Sequence, residues 1–262
     1  GWNMNTMLPD YKKAMKDNYY AMHEIGFFND VFRDHIKGTS FGDQFVPGYL
    51  LGNQDQFLIA KKVVENKDVF IKPEQSINYV ECHDNATAFD LLTYSLQMSE
   101  EETCKRMKLL NTLVVLAQGI PFIHSGQEFC RTKQGDENSY RSGDQINGLD
   151  WSRKDEFEDQ VYFMRNLIKL RKENKGFRYH SNEQIKQNVD VNMSNHSLIY
   201  TIRQDEGKYK QIKVIINPSL ESDHYSMDSD EEILITSEIA EKMEYGHLLL
   251  QKLSVYILGK KS

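Results

Sequence analysis

The chain has 262 residues, 39% hydrophobic and 11% aromatic, which is enough for an ordinary core in one large domain or in a large and a small one. Its formal charge of −7 argues against nucleic acid or an anionic membrane as partner. The longest apolar stretch, 113–123, is interrupted by Gln118, Gly119 and Pro121, so neither a transmembrane helix nor a leader segment is expected; a cytoplasmic or a secreted bacterial setting both fit.

In chain order, "GWNMNT" reads as a loop and 10–20 as a short helix. The apolar run "IGFFN" (25–29) predicts a buried strand, and 53–66 a helix with Phe57, Ala60, Val63 and Val64 on one face. A second strand is predicted over 77–81. Ser99 with Glu102 makes a capping box that opens a helix running to about 118, with Met107, Leu110, Val114 and Ala117 as its inner stripe and Gly119 as its stop. The run "IPFI" (120–123) predicts a third strand. A last helix over 155–174 carries Phe157, Val161, Met164, Ile168 and Arg171 along one side, and Gly176 ends it. Beyond it, strands are predicted over 197–203, 210–216, 232–235 and 247–258, with an acidic solvated turn at 217–232 that reads as an exposed loop rather than a metal site.

Strand, loop and helix recur three times, which implies a parallel sheet, because parallel neighbours need crossover connections. Polar residues gather just after each strand, where (β/α) barrels build their sites. Three units are less than half of such a barrel and would leave sheet edges open to self-association. Cys82, Cys104 and Cys130 are odd in number and far apart in sequence, which predicts reduced thiols rather than a disulfide framework or a zinc site. Lysine pairs such as Lys61-Lys62 and Lys260-Lys261 read as solvated faces. A glycine-rich phosphate loop, a G-x-S-x-G elbow and H-E-x-x-H are all missing, and no cofactor or metal is expected.

Two stretches concentrate chemistry. "INYVECHDNATAFD" (77–90) ends a strand in Glu81, Cys82, His83, Asp84 and Asn85; a His–Asp pair there can be structural or catalytic. "HSGQEFCRTKQGDENSYRSGDQINGLDW" (124–151) gathers amides, guanidinium groups and carboxylates suited to paired sugar hydroxyls, with Tyr140 or Trp151 for stacking. An ordinary charged surface loop has the same composition. Glycoside hydrolysis needs two carboxylates, and Asp84 alone serves only as a third, supporting one.

These residues resemble a known family. "INYVECHDN" is similar to the fourth sequence region of the α-amylase superfamily (glycoside hydrolase family 13) in its type I pullulanase form. "GFFNDVFRDHIKG" resembles that family's sixth strand and loop, and "QGIPFIHSGQEFCRTKQGDENSYRSGDQINGLDW" its eighth. The opening "GW" resembles the end of the Y-G-E-G-W signature. The resemblance spans residues 1 to about 176. It implies a fold class of α/β plus all-β: about strands six to eight of a (β/α)8 TIM barrel with their helices in 1–176, then a small antiparallel β-sandwich in 177–262.

The implied activity is retaining endo-hydrolysis of α-1,6 linkages in pullulan, amylopectin or related α-glucans. Asp84 matches the transition-state-stabilising aspartate and His83 the histidine beside the scissile bond. Trp2 matches a tryptophan lining the acceptor side, and Arg33, Asn85, Arg131, Asn138, Tyr140 and Asp144 fall at positions near bound glucose units. The family's nucleophile Asp, after its fourth strand, and its acid/base Glu, one residue before the position of Gly1, fall outside the chain, and neither Glu24 nor Glu81 replaces them. The chain is thus expected to be a catalytically incomplete fragment, completed by the other half of a barrel or associating through its open edges. Ala86, Ala88 and Phe89 depart from the family's N-H-T pattern and are expected to reshape the acceptor wall. The alternatives are a non-catalytic glucan-binding or partner-complementing protein, or a fragment of an isoamylase, branching enzyme or α-amylase.

Overall fold

The computed structural model describes residues 6–41, 44–238, 241–242 and 246–261. Two 3₁₀ segments, Asp10–Lys12 and Lys16–Ala21, stand where a helix over 10–20 is expected. The elements then run β1 (Phe27–Phe28), α1 (Asp30–Ile36), the hairpin β2 (Gly38–Phe41) and β3 (Gln44–Pro47), α2 (Phe57–Glu65) and β4 (Ser76–Asn78). Next come α3 (Ala88–Asp90), continued by a π-helical stretch Leu91–Ser95, then α4 (Glu100–Leu116), β5 (Ile120–Pro121), α5 (Asp144–Asn147), α6 (Arg153–Glu156) and α7 (Glu158–Glu173). The rest is α8 (Asn182–Asn188), β6 (Val189–Ser194), β7 (Ser197–Arg203), β8 (Tyr209–Asn217), β9 (Asp223–Ser226), β10 (Glu231–Thr236), β11 (Glu241–Lys242), β12 (His247–Leu250) and β13 (Ser254–Lys261).

The three expected parallel strands form one sheet in the order β1-β4-β5, with Phe28 beside Ile77 and Ile77 beside Ile120. Each is shorter than its apolar run. Among the described residues the outer strands have a partner on one side only, and Phe28 and Ile120 are 43% and 41% exposed. A polar ladder lies beneath. Asn29 caps α1, accepting the Phe32 N–H at 3.1 Å, and donates to Ser76 Oγ at 2.9 Å. Ser76 donates to Asn78 Oδ1 at 2.8 Å, and Asn78 Nδ2 to the Gln118 carbonyl at 2.8 Å. Gly119 takes φ +111, a conformation that favours glycine, and a Cβ there would meet the Ser76 carbonyl at 2.8 Å.

Helix α4 is the central pillar. Its buried residues run from Thr103 to Leu116 on nearly every side, so the single stripe expected from the sequence is too narrow. The cap forms only in part: Ser99 Oγ accepts the Glu102 N–H, but the Glu102 carboxylate turns to Arg106 at 2.8 Å. The long helix expected over 155–174 is broken at Phe157 (φ −110, ψ 39). Its buried face carries Gln160, Phe163, Met164, Leu167, Leu170 and Arg171, while Ile168 is exposed. Arg171 is buried and satisfies the end of α4, donating to the carbonyls of Val115 at 2.9 Å, Ala117 at 3.0 Å and Gly119 at 2.6 Å.

The antiparallel part is a five-stranded sheet, β10-β13-β8-β7-β6, faced by a three-stranded one, β11-β12-β9. Alternation along β13 explains its continuous apolar run. Val255 and Ile257 join the helical core, and Tyr256 and Leu258 meet Leu248 and Leu250 of the small sheet. One apolar cluster therefore runs from Phe32 through α4 to Ile257. Sequence reading missed β6, β9, β11 and α8, and joined β12 to β13 across a turn in which Leu253 takes φ 51. Lys61 is not merely solvated. With Glu65 it grips the edge strand β6, Lys61 Nζ donating to the Val191 carbonyl and Glu65 Oε1 accepting the Val191 N–H at 2.7 Å. That side-chain pair covers a peptide an edge strand would otherwise expose.

Candidate functional site

The loop after β4 turns outward at Cys82, and buried groups fix its course. Glu81, 3% exposed, accepts the Ala88 N–H at 2.6 Å with Oε2 and faces His124 Nδ1 at 3.0 Å with Oε1. Arg131 Nη1 lies 3.1 Å from His124 Nε2. Because a guanidinium only donates, Nε2 accepts and the His124 proton sits on Nδ1, directed at Glu81. Thr87 caps α3, and Asn85 makes the bend at φ 62. From below, the buried Lys133 amine donates to the carbonyls of Asn85 at 2.5 Å and His83 at 3.1 Å. Asp90 anchors Lys133 in turn, accepting its N–H at 2.7 Å and the Thr132 hydroxyl at 2.5 Å.

This scaffold raises His83 and Asp84 into the open, with side chains 83% and 51% exposed and Nε2 to Oδ1 at 3.3 Å. They border a cleft of about 530 Å³ whose walls include Phe27, Phe28, Asp30, Arg33, Tyr79 and Asn85. Opposite, Asp30 accepts from Lys16 at 2.6 Å and from the Tyr79 hydroxyl at 2.5 Å, and Arg33 donates to Tyr79 at 2.7 Å and to Asp34 at 2.6 Å. Burial opposes the Asp30 charge, yet the bonds from Lys16 and Tyr79 hold its carboxyl below the usual range. Burial and the bond to Asp30 push the Tyr79 phenol up. Asp30 is thus a committed carboxylate, whereas Asp84 meets only His83 among the described side chains.

A second cavity of about 290 Å³ shares Arg33 and Asn85 and adds Lys37, Ala86 and Glu137. Lys37 is buried without an ion-pair partner among the described residues. Desolvation lowers its amine to about 8, against the opposing pull of Glu81 and Asp34.

The structure brings Arg33, His83, Asp84 and Asn85 together at the first cleft. Trp2 lies outside the described residues. Arg131 points inward, donating also to the carbonyls of Ser125 at 3.2 Å and Asn147 at 2.6 Å. Asn138, Tyr140 and Asp144 are exposed and line neither cavity; Tyr140 carries the Arg141 guanidinium 5.0 Å from its ring centre. Of the departing tail, Ala86 lines a cavity, while Ala88 and Phe89 face the core, so a changed wall rests on Ala86 alone. Sequence reading missed Lys16, Asp30, Lys37 and Tyr79. The phase of Asp30 and Tyr79 beside "FF" and "INYV" held a signal, but the pairing of two segments did not.

No protein-family model matches the chain. It is 39% identical over 241 residues to the pullulanase of Bacillus subtilis (strain 168), across 88% of this chain and 33% of that protein. It is 44% identical over 82 residues to the chloroplastic pullulanase 1 of Arabidopsis thaliana, across 30% of this chain and 8% of that protein. Among solved structures, it matches the pullulanase of Anoxybacillus sp. LM18-11 complexed with maltotetraose at a TM-score of 0.91 and 33% identity, over 99% of this chain and 38% of that one. The type I pullulanase of Bacillus subtilis str. 168 complexed with maltose matches at 0.91 and 35%, over 100% of this chain and 39% of that one. The chain thus spans about a third of the length of the Bacillus relative. In sequence and in fold, it corresponds to the C-terminal portion of a pullulanase.

Proposed function

We propose that this chain is the C-terminal share of a retaining α-1,6-glucan endo-hydrolase, one that debranches pullulan, amylopectin or related glucans. The observation that carries the reading is the cleft at the open end of the parallel sheet, where an uncommitted Asp84 stands beside His83 against aromatic and guanidinium walls. The complexes of the structural neighbours with maltotetraose and maltose support an oligoglucose as the occupant. Residues 1–176 supply strands six to eight of a (β/α)8 barrel, and 177–262 the β-sandwich domain behind it.

In this reading Asp84 stabilises the oxocarbenium-like transition state, and His83 and Arg33 bind hydroxyls of the sugar at the scissile bond. Trp2 lines the acceptor side, and the 131–144 loop, with Asn138, Tyr140 and Asp144, serves outer glucose units, Arg131 holding the loop's shape. A retaining hydrolase needs two more carboxyl groups, about 5–5.5 Å apart. Asp30 is tied to Lys16 and Tyr79, and Glu81 is buried on His124 and Ala88, so neither is free for that chemistry. By the family resemblance, the nucleophile and acid/base are assigned to a barrel half upstream. Purified 1–262 is expected to release no reducing ends from pullulan, and a longer form that adds the upstream barrel half is expected to release them. Cleavage by 1–262 alone would falsify the incompleteness. Inactivity of the longer form, with retained maltotetraose binding, would favour a glucan-binding role.

A further inference from the structure

Two cations of one helix border the second cavity with donors left over. Arg33 lies in the last turn of α1 and Lys37 at its C-terminal boundary, four residues on, so they share a face. Arg33 spends Nε on Asp34 at 2.6 Å and Nη1 on the Tyr79 hydroxyl at 2.7 Å and on Asp30 at 3.4 Å. Its Nη2 has no partner among the described residues. Lys37 is 8% exposed, and its amine has neither a hydrogen bond nor an ion pair among the described residues. Asp34 and Glu81, whose charges act on it, are committed elsewhere, Asp34 to Arg33 and Glu81 to His124 and the Ala88 N–H. Glu137 borders the same cavity, but it is exposed and pairs with no described cation.

An ammonium group is costly to bury unless a counter-charge and hydrogen-bond acceptors meet it. Here the remaining lining offers donors instead. Thr39, half-buried, and Ser40, exposed, present hydroxyls from β2 that bond to no described residue, and the Asn85 side-chain amide is equally uncommitted. An amine, one guanidinium nitrogen and two hydroxyls are the donor set that suits an oxyanion. Ala86 and Leu91, both buried, add apolar wall, which strengthens a charge-assisted bond formed against it. The volume of about 290 Å³ lies just under the roughly 300–1,000 Å³ of sites that enclose a whole small molecule. It therefore suits a small ion, or one substituent of a larger ligand.

We propose that the second cavity is an oxyanion site that holds a phosphate group on the Lys37 amine, with Arg33 Nη2 and the Thr39 and Ser40 hydroxyls around it. Arg33 and Asn85 border both this cavity and the cleft at Asp84, so the anion sits beside whatever occupies that cleft. Free phosphate and a phosphate ester of a sugar in the cleft present the same chemistry to Lys37. Only the ester rests on the glucan reading; the anion site itself does not.

The test titrates the purified 262-residue chain by calorimetry, at constant ionic strength, with inorganic phosphate, glucose 6-phosphate and maltotetraose. One saturable phosphate site is expected. Lys37→Met is expected to weaken it by about tenfold or more, and Thr39→Val, which leaves every charge in place, by about threefold. Glu137→Gln removes a nearby negative charge and is expected to tighten it by up to about fivefold. Tighter binding of glucose 6-phosphate than of phosphate assigns the anion to a sugar ester, the reverse order assigns it to the free ion, and both support the site. Phosphate binding without maltotetraose binding also supports it while removing the glucan reading. The proposal is overturned if neither phosphate compound binds saturably, or if Lys37→Met binds like the parent, which marks the phosphate as an adventitious ion only. Should Lys37→Met not fold, unchanged affinity in both Thr39→Val and Glu137→Gln overturns it.

Discussion

His83 and Asp84 were legible because two titratable groups end an apolar run, whereas Lys133 was not, because a lysine in a charged loop reads as solvated. Its burial under His83 and Asn85 depends on Asp90, far away in sequence, taking its N–H. Lys37 carries the sharpest prediction at this scale. Its amine titrates near 8 when folded, against 10.5 ordinarily, so between those values the unfolded chain binds more protons and stability rises with pH. The burial penalty is complete below about pH 8. Lys37→Met is therefore expected to stabilise the chain by about 2–3 kcal/mol at neutral pH, with the gain fading as pH rises from about 8 to 10.5. Urea unfolding of both proteins across that range checks it, and a gain independent of pH would show that only packing had changed.

Among the elements, α4 shows what periodicity can reveal. Its start was marked by Ser99 and its end by Gly119, but burial on all sides blurs the amphipathic signal that orients a helix. The break at Phe157 was invisible, since no Pro or Gly marks it; there Arg153 stacks on the rings of Phe89 and Phe157 at 4.8 and 4.7 Å. Arg171 looked like one more residue in a stripe and is instead the terminator of α4. Arg171→Met leaves the carbonyls of Val115, Ala117 and Gly119 without this donor and is expected to cost about 3–5 kcal/mol. Arg171→Lys, reaching fewer of them, should fall between. Equal stability of Arg171→Met and the parent would remove Arg171 from this role.

Across the whole molecule, the change of period announced the antiparallel strands that begin at Val189, while the continuity of the core was not legible. Tyr200 and Ile202 of β7 and Val255 and Ile257 of β13 belong to the same apolar cluster as α4, and Gln118 donates to both the Gly176 carbonyl at 2.6 Å and the Tyr200 hydroxyl at 3.1 Å. Thermal unfolding of the chain is accordingly expected to be one transition, coincident by near- and far-ultraviolet circular dichroism, and two separated transitions would mean that the halves are energetically independent. The two edge strands of the parallel sheet leave Phe28 and Ile120 exposed, and in the proposed reading an upstream barrel half pairs there. The role of Asp84 is tested most directly by Asp84→Asn in a longer form that cleaves pullulan. A carboxylate acting only on the transition state predicts a fall in kcat of about 10³-fold or more with KM little changed. A variant that keeps kcat within about tenfold of the parent, or loses only KM, would contradict it.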